Sequence, residues 1–134
     1  MDSVVHFEMP YKDRDRIVDF YAAAFGWTSN KLGPEMGNYV VTMTSEYDEK
    51  TRAPKKPGMI NGGFFEKSKD NQNPSVVIAV KDIRKAMKKV ADAGGKVLGG
   101  QKPGEPDDIS GIGLYISFTD SEGNRVGMLQ PKEM

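Results

Sequence analysis

The chain has 134 residues, the usual size of one compact domain, with 37% hydrophobic residues and 15 glycines. Its 19 basic and 19 acidic residues cancel, which argues against a nucleic-acid partner or a membrane surface, since either calls for a net basic field. With no cysteine, disulfides, thiolate nucleophiles and zinc–thiolate sites are excluded, and with no bilayer-length apolar run or signal-peptide pattern the expectation is a soluble cytoplasmic protein.

Val4 to Met9 alternates as a strand, with Val4, His6 and Glu8 on one face and Val5, Phe7 and Met9 on the other. The second face is apolar and predicts a packed layer; the first, with a histidine and a carboxylate, predicts water or a cavity. Pro10 is expected to end the strand. Asp13 is a predicted helix N-cap, Ile17, Phe20, Tyr21 and Ala24 fall on one helical face, and Gly26 suits the left-handed position after the helix. Strands are predicted from Trp27 to Leu32 and from Tyr39 to Thr44, with a turn through Gly33, Pro34 and Gly37 between them. Residues 45–58 read as a long polar loop carrying Lys50, Arg52, Lys55 and Lys56, and 59–65 as a strand containing Gly62 and Gly63. Paired glycines in a strand mean either a bend or something that must approach the backbone closely.

After a polar linker at 67–74, the same order returns. Ser75 to Val80 is a strand, Asp82 an N-cap, and Ile83, Ala86, Met87 and Val90 a helical face. Gly94 and Gly95 stop the helix, and Lys96 to Leu98 is a short strand. A Gly/Pro-rich loop covers 99–113. Leu114 to Phe118 and Arg125 to Gln130 are strands joined by a turn through Asp120, Glu122, Gly123 and Asn124. Setting Lys12-Asp13 on Lys81-Asp82 also sets Gly26 on Gly95 and His6 on Ser75. The chain therefore reads as a single domain, 1–134, of two βαβββ modules, about 1–66 and 75–134. The class is α+β, a curved, barrel-like mixed sheet around a cleft with the helices outside.

The paired modules, the segment HFEMPYKDRDRIVDFYAAAFGW and the ending FTDSEGNRVGMLQP resemble the vicinal oxygen chelate superfamily, which includes glyoxalase I, bleomycin- and fosfomycin-resistance proteins and extradiol dioxygenases. VVHFE, INGGFF and GMLQP are most similar to small glyoxalase-related proteins. The resemblance implies a homodimer and a small-molecule ligand. In metal-dependent members it implies one ligand on each of four strands holding a divalent cation, Zn, Ni, Mn or Fe. Carried over position by position, His6 matches the first. The second falls at Gly62 or Gly63, the third at Ser75 and the fourth at Gly127. One imidazole in four positions is not a metal site, so no cofactor is expected.

His6 is then read as a half-buried, hydrogen-bonded cleft residue, with Glu8 its partner or a substitute ligand. The glycines either floor the cleft for a flat ligand or bend the strands. Gly127 should face the cleft together with Arg125 and Leu129, while Gln130 points away. Trp27, Tyr39 and Tyr115 are candidate aromatic walls. The expected function is metal-independent small-molecule binding of the glyoxalase and bleomycin-resistance type. The alternative is a metal-dependent lyase, isomerase or dioxygenase using His6 and Glu8.

Overall fold

The computed structural model describes residues 1–132. The protein is α+β and forms two compact units, one of residues 6–74 and one in which residues 1–5 join the chain from Ser75 onward. Strand β1 (Val4–Tyr11) begins in the latter and continues into the former.

In residues 6–74 the strand order is β2 (Thr28–Lys31), β3 (Val40–Met43), β4 (Asn61–Glu66), β1. The pairs β2–β3 and β3–β4 are antiparallel; β4 and β1 are parallel, with His6 opposite Asn61 and Glu8 opposite Gly63. Helix α1 (Arg14–Phe25) starts where Asp13 accepts a bond from the Arg16 amide at 3.0 Å and stops at Gly26, whose φ is +76°. It packs on the sheet over a core of Tyr11, Val40 and Phe64, joined by Met9, Ile17, Val18, Tyr21 and Trp27. Trp27 stacks on Tyr21 with ring centroids 4.5 Å apart, so it is core rather than an aromatic wall.

The structure corrects three further expectations in this unit. Strand β1 runs through Pro10 to Tyr11. The Tyr11 carbonyl accepts from Lys67 N on the β4 side, and backbone groups alternate in direction along a strand, so the proline nitrogen points away from β4 and its missing N–H removes no bond of that pair. The inward stripe of α1 is Arg14, Ile17, Val18 and Tyr21, while Phe20 is 58% exposed. Arg14 hid this stripe because it is charged, yet its guanidinium donates to the Leu32 carbonyl at 2.7 Å. The segment 45–58 contains a small hairpin closed by Lys55 N to Glu46 O and Asp48 N to Ala53 O, both 2.9 Å. The Asp48 carboxylate caps its tip by accepting from the Lys50 and Thr51 amides.

In the other unit, β5 (Ser75–Ala79) pairs in parallel with β9 (Arg125–Pro131), and β9 pairs antiparallel with β8 (Gly113–Thr119). Both β6 (Lys96–Val97) and β7 (Asp107–Ile109) pair antiparallel with β8. The sequence concealed β7 inside a loop because two aspartates in three residues break any apolar alternation. Helix α2 (Ile83–Asp92) turns Ile83, Ala86, Met87 and Val90, the expected face, onto Val80, Ile116, Phe118 and Met128. No helix among the described residues is long and apolar enough to cross a membrane.

The first turn of α2 leaves no orphan amide. Asp82 accepts from Arg84 N and Lys85 N at 3.1 Å, and Gln130 Oε1, reaching from β9, accepts from Ile83 N at 2.9 Å. Gln130 thus points to the helix side, opposite in facing to Gly127. Because Ile83 is fully buried, its amide has no water to turn to when Gln130 is lost. Gln130→Ala is expected to cost about 1–2 kcal/mol, read as a lower urea midpoint with an unchanged slope.

Candidate functional site

Residues 6–74 have one sheet face under α1 and one turned away from it. Alternation along each strand places His6 and Glu8 of β1, Asn61 and Gly63 of β4, and Val41 and Met43 of β3 on the face away from the helix. The parallel register makes His6 and Asn61 lateral neighbours.

Tyr39 stands just before β3. Its ring fills the space above Gly63, where any β-carbon would collide with the phenol. From there its hydroxyl meets His6 Nε2 at 2.9 Å. The glycine is what lets a side chain rooted at the start of β3 pass over β4 and reach β1. Glu8, the partner expected from sequence, acts on the ring through its charge. Burial lowers the His6 pKa below 6.5, and the negative charge of Glu8 opposes that in part. The imidazole is therefore neutral at pH 7, and in the tautomer protonated at Nδ1 its Nε2 accepts the Tyr39 O–H.

Asn61 is 8% exposed. Its Oδ1 accepts from Thr44 N at 2.9 Å and Ser45 Oγ at 3.3 Å, while its Nδ2 has no hydrogen-bond partner among the described residues. A buried donor left unmade costs about 1–3 kcal/mol. Sequence reasoning passed over Asn61, although a lone amide within the apolar stretch MINGGFF was a signal.

Gly62 lies on the opposite face, under the Phe7 ring. Ser75, Arg125 and Gly127 belong to the other unit. There Gly127 repeats the arrangement of Gly63: a β-carbon would lie 2.6 Å from the Tyr115 hydroxyl. The registers agree as well. Gly63 is opposite Val41, two residues after Tyr39, and Gly127 is opposite Ser117, two residues after Tyr115. At the four positions where a chelating member would offer donors, this chain offers one imidazole, one hydroxyl and two glycines beneath phenol rings. Among the described residues no three His, Cys, Asp or Glu side chains come close enough to hold a metal ion. The donor set does not fit a divalent cation.

The family description Glyoxalase/Bleomycin resistance protein/Dioxygenase superfamily matches residues 3–128. The chain belongs to that superfamily. Among solved structures, this glyoxalase-superfamily chain is similar to a methylmalonyl-CoA epimerase in complex with methylmalonyl-CoA and NH4+, with 16% identity, a TM-score of 0.68, and 99% of this chain and 96% of that one covered. It is also similar to a hypothetical protein from Bacillus halodurans C-125, with 12% identity, a TM-score of 0.66 and coverage of 99% and 96%. The methylmalonyl-CoA epimerase from Mycobacterium tuberculosis gives 12%, 0.62, and coverage of 96% and 87%. At such identities the likeness is one of fold. No curated protein sequence matches significantly.

Two tests follow from this geometry. Gly63→Ala displaces the Tyr39 ring and breaks its bond to His6, so it is expected to destabilise by about 1–3 kcal/mol in the parent and by clearly less in a Tyr39→Ala background. Equal costs in the two backgrounds on chemical denaturation would show that ring and glycine are uncoupled. The second test is pH. His6 has a folded pKa below its unfolded value of about 6.5, so the unfolded chain binds the proton more tightly. Its contribution is full above pH 6.5 and is lost as pH falls toward the folded pKa. The Tm should therefore drop between pH 7.5 and 5.5, and His6→Gln, which removes the only histidine, should flatten that drop.

Proposed function

We propose that this chain is a small-molecule-binding member of the superfamily that works without a divalent metal, its ligand contacted from the sheet face that carries His6, Asn61 and Tyr39. One observation carries the reading. The Nε2 of His6 is already engaged by Tyr39, and Gly63 on the adjacent strand supplies room for that phenol instead of a second donor. A lone imidazole beside a carboxylate two residues away on the same strand lacks the three or four convergent ligands that a catalytic cation needs. What the face does offer is a neutral imidazole, a phenol and a primary amide, groups that recognise a polar organic molecule by hydrogen bonds. Epimerases of the same fold are described in complex with methylmalonyl-CoA and with 2-nitronate-propionyl-CoA. From them we carry over only a ligand class, small organic molecules bearing carbonyl or carboxyl oxygens.

Elemental analysis of protein purified without chelators tests this directly. The expected result is transition metal far below one equivalent, with no heat of binding on titration with Zn, Ni, Mn or Fe(II). Near-stoichiometric metal that a chelator removes would overturn the reading and favour a metal-dependent lyase, isomerase or dioxygenase using His6 and Glu8.

A further inference from the structure

Asn61 Nδ2 is a buried donor without an acceptor among the described residues. Its direction is fixed. Exchanging the amide oxygen and nitrogen would set Nδ2 against the Thr44 N–H, itself a donor, and would give up the 2.9 Å bond that Oδ1 now accepts. His6 sits directly beside it in the β1–β4 register. Between His6 and β3 lies Tyr39, whose ring rests on a glycine and whose backbone stands outside the strand, next to Gly37 and Asn38, both in left-handed conformation at φ +66° and +57°. The ring covers the floor from a backbone held on both sides, by Leu32 N to Tyr39 O at 2.9 Å and Tyr39 N to Met36 O at 3.3 Å, so uncovering the floor takes a rotation of the side chain alone.

We propose that a carboxylate or carbonyl oxygen of the ligand binds between Asn61 Nδ2 and His6, in the space the Tyr39 ring now occupies, so that Asn61 is the recognising donor and Tyr39 the gate. This rests on the reading above that the face binds a small molecule, and it adds which chemistry is recognised. Nδ2 carries two hydrogens and no available lone pair, so it suits an oxygen acceptor and rejects a cation. When Tyr39 withdraws, His6 Nε2 is released, and in the tautomer protonated there it donates the second bond. The absence of a side chain at Gly63 leaves room for either the ring or the ligand, and not for both.

The test is NMR on the full-length 15N-labelled protein, following the Asn61 side-chain amide and the His6 ring during titration with sodium acetate, a carboxylate, and with acetamide, a neutral carbonyl. Sodium chloride at matched ionic strength is the control. Saturable movement of both Asn61 amide protons is expected with at least one organic probe and not with chloride. Response to acetate alone identifies a carboxylate; response to both identifies a carbonyl oxygen of either kind. Tyr39→Ala should saturate at probe concentrations at least about fivefold lower, since the binding-competent state no longer competes with the closed gate. Asn61→Asp keeps the acceptor for Thr44 N and replaces the donor by oxygen, and should weaken the acetate response of the His6 ring about tenfold or more. The proposal is overturned if the Asn61 amide stays still with both probes in Tyr39→Ala, or if Asn61→Asp binds acetate like the parent. The wild-type Asn61 signals answer the question even where a variant fails to fold. A metal-free protein with a silent Asn61 overturns this inference alone; stoichiometric metal overturns the earlier reading whatever Asn61 does.

Discussion

The site depends on the parallel pairing of β1 with β4, two strands separated in sequence by a helix, two further strands and a hairpin. That register sets His6 beside Asn61 and Glu8 beside Gly63. Because side chains alternate with a period of two, a slip of one residue would send His6 and Glu8 into the layer under α1 and bring Phe7 and Met9 out. The apolar face prevents the slip. Phe7, Met9 and Tyr11 meet Trp27, Tyr21 and Phe64 on the helix side; full burial of a side chain of this size contributes about 1.5–3 kcal/mol, of which the half-buried Phe7 and Met9 realise a part. The hydrophobic face of β1 thus holds the polar face in place.

Desolvation then sets the chemical character of that face. Burial makes His6 a weaker base than a free imidazole, and Glu8 reverses this only in part. The outcome is an uncharged cluster of imidazole, phenol and primary amide. Hydrogen bonds to uncharged groups are directional, and they are less sensitive to salt than contacts with an exposed charge. The exposed carboxylates behave differently. Asp120, bonded by the Asn124 side chain and by the Asn124 and Glu122 amides, and Asp48, bonded by the Thr51 and Lys50 amides, are both held below the usual carboxylate range. Both organise turns.

Features fixed by neighbours in sequence could be read from the sequence. Asp13 and Asp82 were recognisable as caps, and Gly26 as a left-handed stop, because each depends on residues within one helical turn. The stripe Ile83, Ala86, Met87 and Val90 was plain because it is purely apolar. The stripe on α1 was misplaced because one of its members is Arg14, whose burial is explained only by a carbonyl eighteen residues away in sequence. The same limit applied to the site. His6 was identifiable as the marker of the polar face, but its partner Tyr39 and its neighbour Asn61 are set by strand registers that local pattern does not encode. The glycines posed a choice between an open floor and a bend. The structure shows a third arrangement at Gly63 and Gly127, in which a tyrosine ring from the preceding strand region lies over the glycine.

That arrangement bears on how such a chain can change over generations. Each glycine and the tyrosine above it share one volume, so neither position is free to mutate alone. A donor side chain introduced at Gly63 arrives while Tyr39 still fills its space, and the intermediate is less stable before any new capability exists. The converse step, losing Tyr39 first, leaves His6 without its partner above an empty floor. Placing donor side chains on these strands must therefore cross a valley at Gly63 and again at Gly127, where Tyr115 stands in the same relation. Two coupled pairs, one in each unit, make the acquisition of donor side chains at these glycines steep. Among relatives of this chain, glycine and tyrosine at these positions should be gained or lost together.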